Sequence, residues 1–273
     1  MPLEIRAVEH RDEDFGLSSD EISMLWAMEE KHFWHRARNE WIARALEVAE
    51  VKPPAKLLEV GCGSGAVAGF LHARGYDVTG IDTNAPLVKK AFARCPQASF
   101  VIGDLNDLDR SGFDTVGFFD VLEHLDHPEE LLDAGMARLR PSGVVIATVP
   151  AQASLHTVID DLSGHKRRYE VGELAALFSR AGLLDVEERG IFRATVPAQR
   201  LARRKAIMDG RPLEAAERAA LWRNNFAIPA APINLAFGAL CALERHLAFG
   251  RSVDRPGASL LCVGRLGAPS ATG

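Results

Sequence analysis

The chain has 273 residues, of which 47% are hydrophobic and 25% are charged, and its formal net charge is −5. A chain of this length forms one large domain, or one domain with a sizeable addition, and its composition excludes a disordered, collagenous or coiled-coil protein. The mild negative charge argues against a nucleic-acid-binding protein, because such domains are usually strongly basic. The four cysteines are far apart and form no CxxC pair. This spacing excludes a disulfide framework and, with an amino terminus that lacks a signal-peptide pattern, predicts reduced thiols in a cytoplasmic protein.

Helical periodicity starts at Asp20, after a polar leader over residues 1–20, and predicts one or two amphipathic helices that end at Pro53. Beyond this proline, short apolar runs alternate with helical segments. Strands are predicted over residues 56–61, 77–82, 99–104, 113–119, 144–149, 186–192 and 256–263. Helices are predicted over residues 65–74, 84–95, 128–139 and 172–183, with a turn over residues 141–143. Alternation at this pitch predicts βαβ units and a parallel sheet.

One stretch near the carboxyl terminus, residues 226–243, carries a single polar side chain, Asn234, and approaches the length of a membrane span. Pro229 and Pro232 interrupt it, which disfavours a spanning helix. The basic residues that precede it are Arg200, Arg203, Arg204, Lys205 and Arg211. Two interpretations stay open: a helix packed into a cap or a dimer interface, and a surface helix that meets anionic lipid.

The first predicted strand after Pro53 runs into a glycine-rich loop, EVGCGSG at residues 59–65, and then into a helix. Glycines allow a left-handed backbone and let a ligand lie against the main chain. Alone the string is ambiguous, because it also fits, with Ala66, the dinucleotide-binding pattern of NAD(P)-dependent oxidoreductases. Two further strands end in acids, Asp82 and Asp104, at the edge where open α/β sheets bind ligands. An acid at Asp82 can accept hydrogen bonds from ribose hydroxyls, so the pattern predicts a nucleotide-type ligand.

Taken in order, these motifs resemble those of the class I S-adenosylmethionine (SAM)-dependent methyltransferases. The resembling segments are EVGCGSG at the glycine loop, GID at 80–82, GDL at 103–105, FFDVLEHL at 118–125 and LRPSGVVIATVP at 139–150. The resemblance covers about residues 55–190. It implies a Rossmann-like, mostly parallel seven-stranded sheet with helices on both faces, plus a helical amino-terminal element and a helical insertion near the carboxyl terminus.

The resemblance also implies how SAM would be held. Glu59 and the loop glycines would hold its methionine part. Asp82 would hold the ribose and residues 104–105 the adenine, while residues 120–121 would lie beside the sulfonium. The complete set of cofactor-binding residues implied in this way is Glu59, Gly61, Cys62, Gly63, Gly65, Asp82, Thr83, Asp104, Leu105, Asp120 and Val121.

Residues for the acceptor side are implied by two further segments. His124 ends the fourth-strand motif at the mouth of the expected pocket. The segment GHKRRY (164–169) matches a string that follows the fifth strand in many such enzymes. In it His165 suits a general base, because imidazole titrates near neutral pH. Arg168 and Tyr169 would bind and orient an anionic or hydroxylated acceptor, with Trp34 in an amino-terminal element that covers the pocket. The alternative for residues 164–169 is a solvated basic turn.

The stretch after the fourth strand is also similar to that of ubiquinone-biosynthesis O-methyltransferases, in which acids and a histidine of this motif can hold a divalent cation. The corresponding ligands here would be Asp120, Glu123 and His124, which are chemically acceptable. We nevertheless predict that no metal is needed.

The sequence thus predicts a SAM-dependent methyltransferase that yields S-adenosylhomocysteine. We expect O-methylation of a small-molecule, glycan or lipid-linked acceptor by in-line transfer, a monomer or homodimer, and no nucleic-acid partner. A peripheral membrane contact through residues 200–250 stays open. The alternatives are a non-catalytic SAM-binding module and an NAD(P)-dependent oxidoreductase. The predicted divisions are a helical cap (1–54), a SAM-binding core (55–192), a helical insertion or substrate cap (193–250) and a final strand with the tail (251–273).

Overall fold

The computed structural model describes residues 4–5, 19–203, 227–248 and 256–268, together with residues 214, 217, 220, 221, 223 and 224. Most of the predicted leader lies outside these residues, as do Arg204, Lys205 and Arg211 of the basic stretch and the last residues of the tail.

Eight strands form one sheet. They are β1 (Glu4–Ile5), β2 (Lys56–Val60), β3 (Asp77–Asp82), β4 (Ser99–Ile102), β5 (Phe113–Phe119), β6 (Leu139–Pro150), β7 (Leu184–Ile191) and β8 (Ser259–Arg265). The described helices are α1 (Ser19–Lys31), α2 (Phe33–Val48), α3 (Ala66–His72), α4 (Ala85–Arg94), α5 (Pro128–Met136), α6 (Val158–Leu162), α7 (Glu173–Arg180), α8 (Val196–Arg203) and α9 (Ala231–Ala248).

The strand order is β1-β4-β3-β2-β5-β6-β8-β7, and β8 alone in this sheet runs antiparallel to its neighbours. From β2 the chain moves outward through β3 to β4, and then returns to β5 on the other side of β2. This reversal opens a crevice at the carboxyl ends of β2 and its neighbours, where ligands of open α/β sheets bind. The predicted mostly parallel sheet is confirmed: its seven predicted strands are present as β2–β8, and β1 adds an eighth at the edge.

Two details of the sheet differ from the prediction. The two-residue strand Glu4–Ile5 pairs with β4 inside the predicted leader, and so short a segment carries no periodic signal. The turn predicted over residues 141–143 lies within β6 instead of before it. Phe113 pairs with Leu139 and Thr115 pairs with Val144, so the intervening residues bulge out of register without ending the strand.

Helices cover both faces of the sheet, because successive residues of its central strand point to opposite sides. Leu57 packs in a buried cluster with Trp41 of α2, and Leu58 packs in a second cluster with Phe178 of α7.

The four cysteines are buried as free thiols, as the spacing predicted, at Cys62, Cys95, Cys241 and Cys262.

Helix α9 packs against α2. The rings of Phe33 and Phe237 stack with centroids 5.1 Å apart, and Asn234 accepts a hydrogen bond from the Phe33 backbone N–H at 2.8 Å. Within the described part of the chain, α9 included, no helix has both the length and the apolar content that a membrane crossing requires.

Candidate active site

The glycine loop lies at the carboxyl end of β2, and its three glycines have left-handed backbones, with φ of +71°, +49° and +73° at Gly61, Gly63 and Gly65. A Cβ on Gly61 would lie 2.5 Å from Cγ2 of Val121, and one on Gly65 would lie 2.7 Å from Cβ of Ala91. These two glycines therefore let the loop pack closely. A Cβ on Gly63 would meet no described atom within 4 Å, so here the main chain is open to a ligand.

Asp82 ties this loop to the end of β3. Its Oδ2 accepts the Gly63 N–H and its Oδ1 accepts the Asn84 N–H, both at 2.8 Å. Burial raises the pKa of Asp82, although these backbone hydrogen bonds pull the pKa back down. The carboxylate thus shapes the loop at the same strand end where the sequence predicts a ribose contact, and Thr83 lies exposed beside it.

Asp104 ends β4 at the same edge of the sheet and is exposed. Its Oδ1 accepts hydrogen bonds from the N–H and the side-chain amide of Asn106, both at 2.8 Å. It therefore caps the short turn that begins at Leu105, whose side chain is buried.

Cys62 of the glycine loop is also buried, and its thiol packs against Gly80. The thiol therefore points away from the loop, and only the backbone of Cys62 faces it.

Glu59 is a buried carboxylate directly beneath the loop, at 3% exposure. Its Oε2 has no hydrogen-bond partner among the described residues. Burial raises the pKa of Glu59 to about 8, and the Arg38 guanidinium opposes that rise. A buried acceptor without a partner fits the ammonium group of an amino-acid ligand, so the observation supports the predicted contact with the methionine part of SAM.

Two ion pairs from the amino-terminal helices reach the site, and sequence reasoning missed both. Arg38 of α2 binds Asp120, whose other oxygen accepts the Thr148 hydroxyl at 3.0 Å. Glu29 of α1 pairs with Arg94 at 2.9 Å and also accepts a hydrogen bond from Ser64 of the loop. The first pair is the more informative, because it fixes a carboxylate on the turn after β5, where Asp120 has φ +57°.

The acceptor-side residues meet at the turn that follows β5. Glu123 is fully buried, and Nε2 of His165 lies 3.9 Å from its Oε1. Nδ1 of His124 lies 3.2 Å from the Gly164 carbonyl oxygen, so it carries the proton, and the rings of the two histidines meet edge to face. Burial first and His165 second lower the pKa of His124 to about 4, so His124 is neutral. Burial, followed by the charge of Asp120, raises the pKa of Glu123.

His165 is held from behind by Asp160, a residue that sequence reasoning missed. Nδ1 of His165 lies 3.2 Å from Oδ1 of Asp160, which also accepts two hydrogen bonds from Arg168, at 2.8 and 2.5 Å. Asp160 belongs to a capping box with Thr157, a local signal that was present in the sequence.

The three residues predicted to bind acceptor lie in packed positions. The Arg168 guanidinium is buried between Asp160 and the Ala151 carbonyl oxygen, which it reaches at 3.0 Å. The Tyr169 hydroxyl donates to the Leu122 carbonyl at 3.2 Å. Trp34 stacks on Phe192 with ring centroids 3.9 Å apart. Arg168 and Tyr169 thus fold the 164–169 segment onto the turn after β5, which brings His165 to His124.

A divalent cation would find a different ligand set here from the one that the sequence indicates. Oxygen and nitrogen atoms of Glu123, His124 and His165 lie within 4.8 Å of one another. Asp120 is instead committed to Arg38 and Thr148. The donor types suit a transition metal such as zinc, so these three residues are the ones that could hold an ion.

A family model described as a methyltransferase domain matches residues 33–188. The chain belongs to this methyltransferase family. The ubiquinone biosynthesis O-methyltransferase of Idiomarina loihiensis is 26% identical to this methyltransferase over 157 residues, which cover 50% of the chain and 65% of that relative. Trans-aconitate 2-methyltransferase of Deinococcus radiodurans is 33% identical over 132 residues, with 47% and 50% coverage. The chain therefore spans less than two thirds of the length of either relative.

Solved methyltransferases share the fold. A SAM-dependent methyltransferase from Archaeoglobus fulgidus superposes with a TM-score of 0.53 at 17% identity, covering 88% of this chain and 99% of its own. Phosphoethanolamine N-methyltransferase 2 from Haemonchus contortus, solved with SAM, has a TM-score of 0.53 at 14% identity and coverages of 84% and 52%.

The chain is accordingly a SAM-dependent methyltransferase by family, with SAM as the cofactor of that family. The family match favours this assignment over the NAD(P)-dependent oxidoreductase.

Proposed function

We propose that this methyltransferase transfers the SAM methyl group to an oxygen atom of a small-molecule, glycan or lipid-linked acceptor. The observation that carries the proposal is the position of His165, between Asp160 behind it and Glu123 in front. A hydroxyl acceptor loses a proton when it is methylated, and an imidazole held by a carboxylate is suited to take that proton. The similarity to an enzyme named as an O-methyltransferase supports the same choice.

When bound, SAM supplies a methyl group that is already activated by the sulfonium. We propose that Glu59 and the open main chain at Gly63 hold the methionine part, and that Asp82 holds the ribose. The adenine lies at residues 104–105 and the sulfonium beside residues 120–121. The chain contributes binding and orientation here, and effective orientation alone can lower a barrier by about 7–11 kcal/mol.

On the acceptor side, Nε2 of His165 receives the hydroxyl proton. Asp160 keeps the opposite nitrogen protonated, and Arg168 balances the charge of Asp160 throughout. Neutral His124 donates Nδ1–H to Gly164, and its ring meets that of His165 edge to face, so it helps to fix the orientation of His165. In this proposal Arg168 and Tyr169 act as positioning residues for the two histidines.

The amino-terminal and carboxyl-terminal segments are proposed as covers of this site. Arg38 brings α2 onto the turn after β5, and Glu29 brings α1 onto the glycine loop. Phe237 and Asn234 bring α9 onto α2, and Trp34 reaches Phe192 directly after β7. This arrangement supports a core over residues 55–192 that is closed from one side by both segments.

An acceptor panel tests oxygen transfer. Purified enzyme with SAM is incubated with phenols, catechols, sugars, prenylated phenols and carboxylic acids, and with amines of matched size, and S-adenosylhomocysteine formation is measured. We expect turnover with a hydroxyl compound and none with the matched amine. Preferential methylation of an amine, or of no hydroxyl compound at all, would refute the proposal.

A second experiment tests the contact assigned to Glu59. Because its pKa is about 8, Glu59 is protonated at pH 7 before ligand binds. A ligand ammonium favours the carboxylate and lowers that pKa, so binding releases a proton and affinity rises with pH. We expect the Kd for S-adenosylhomocysteine to fall by up to about tenfold per pH unit between about pH 5.5 and 7.5. Calorimetry in phosphate and in Tris should then show release of close to one proton.

The matched controls for this experiment are two isosteric variants. Glu59→Gln should flatten the pH dependence and abolish proton release, whereas Glu47→Gln, on the exposed side of α2, should leave both unchanged. An unaltered pH dependence in Glu59→Gln would remove Glu59 from the cofactor contacts.

A further inference from the structure

Two polar side chains of helix α9 face the protein. Asn234 bonds to the main chain of Phe33 and Lys31. Glu244 accepts the backbone N–H groups of Arg193 and Ala194 at 2.9 and 3.1 Å. These bonds fix the rotation of the helix about its own axis. The face left outside is therefore held in place by specific contacts.

The outward face of α9 is apolar apart from His246. Its large exposed side chains, with their exposed fractions, are Leu235 (76%), Leu247 (62%), Leu243 (54%), Ile233 (51%) and Leu240 (38%). The remaining exposed positions of the described helix are alanines, a proline and His246, with no aspartate, glutamate, lysine or arginine. At about 100° per residue, this face spans about half of the helix circumference. A single partner helix would cover a narrower apolar stripe than this face. The width of the face therefore favours a partner with an extended apolar surface over one partner helix.

A basic stretch precedes this helix in the sequence. Residues 193–205, whose first residue is held by Glu244 of α9, contain no acid and five basic residues: Arg193, Arg200, Arg203, Arg204 and Lys205. Arg193 lies 3.5 Å from Glu244 and Arg200 donates to Gln152 at 2.9 Å, so the charge that the stretch adds comes from its last three basic residues. An apolar helix face flanked by basic residues is the pattern of helices that lie in the surface of an anionic bilayer.

We propose that the outer face of α9 lies in the interface of an anionic lipid bilayer, with the helix axis parallel to the membrane. The helix would dock without crossing. Because α9 packs on α2, and α2 carries Arg38 to Asp120, docking would bring the cover of the active site to the membrane surface. Of the three acceptor classes proposed above, this placement favours the lipid-linked one. The choice of a lipid-linked acceptor rests on the proposed function, whereas the docking of α9 on the membrane does not.

Vesicle flotation of the full chain tests docking. The vesicles are phosphatidylcholine alone, or phosphatidylcholine with 30 mol% phosphatidylglycerol as a typical anionic load. We expect binding to the anionic vesicles that weakens with salt. The double variant Leu235→Glu/Leu243→Glu should bind at least about tenfold more weakly, since each leucine buried in lipid contributes more than a tenfold preference.

The matched control is Val48→Glu/Leu184→Glu, which alters two exposed apolar residues elsewhere, at 47% and 57% exposure. It should bind like the unaltered protein, and S-adenosylhomocysteine binding should be the same in all three proteins. Equal loss in both double variants, or equal binding to both kinds of vesicle, would overturn the proposal.

Light scattering and thermal unfolding of the same proteins complete the test. If the unaltered protein is a dimer that Leu235→Glu/Leu243→Glu converts to a monomer, without vesicle binding, a second copy covers the face and the lipid proposal fails. If the α9 variant instead unfolds at a markedly lower temperature, the chain itself covers the face, and the proposal fails again. Docking with no methylation of any hydroxyl acceptor would refute the proposed function and leave docking intact.

Discussion

The Asp82→Ala variant is expected to lose measurable binding of S-adenosylhomocysteine. The carboxylate holds the Gly63 and Asn84 N–H groups at 2.8 Å, so its removal releases the loop at the position where the main chain is open to the ligand. It also removes the proposed acceptor of the ribose hydroxyls. Hydrogen bonds to a charged group contribute about 1.5–3 kcal/mol each, so a Kd raised at least about 100-fold is expected in calorimetry.

The same strand provides the control for this prediction. Asp77 begins β3 and is exposed, at the end of the strand that lies away from the loop. Asp77→Ala should bind S-adenosylhomocysteine like the unaltered protein. If both variants bind with unchanged affinity and unfold at similar temperatures, the glycine loop does not need Asp82 and the cofactor assignment at β3 is wrong.

Strand positions could be read from the sequence because each buried strand is a short apolar run between breakers. KLLEV, DVTGID and SFVI are such runs, and the helices between them end at glycine or proline. The sheet edge was harder to predict. Glu4–Ile5 is too short to show a period, and its pairing with β4 is a tertiary contact. Pro141 and Gly143 are ordinary turn residues, so the sequence predicts a turn where β6 instead bulges.

The cofactor side of the site could be predicted for the same reason, since its acids terminate strands whose carboxyl ends share one edge. Arg38 could not be assigned, because its partner Asp120 lies 82 positions away and meets it only when α2 docks. The pairing of Asp160 with Arg168 was hidden in a different way. Charged residues outside the apolar runs are expected to be solvated, and only packing shows that this pair is buried.

The largest effect on turnover is expected from His165→Ala. With the acceptor that the panel identifies, kcat should fall about 10²–10⁴-fold, the usual contribution of a positioned general base. Binding of S-adenosylhomocysteine should be unchanged, because His165 lies on the acceptor side. The variant should also fold, since Arg168 remains to balance the charge of Asp160 when the imidazole is removed.

His127→Ala is the matched control, because this exposed histidine lies near the same turn and contacts only Glu129 among its described charged neighbours. It should retain full activity. A His165→Ala enzyme that kept its kcat would show that the acceptor needs no base here. Neutral His124, whose ring meets that of His165 edge to face, would then be the next residue to replace. A loss of kcat in His165→Ala that is restored by a more acidic acceptor would instead establish proton removal as the step that His165 assists, because an acceptor already ionised in solution has no proton to give up.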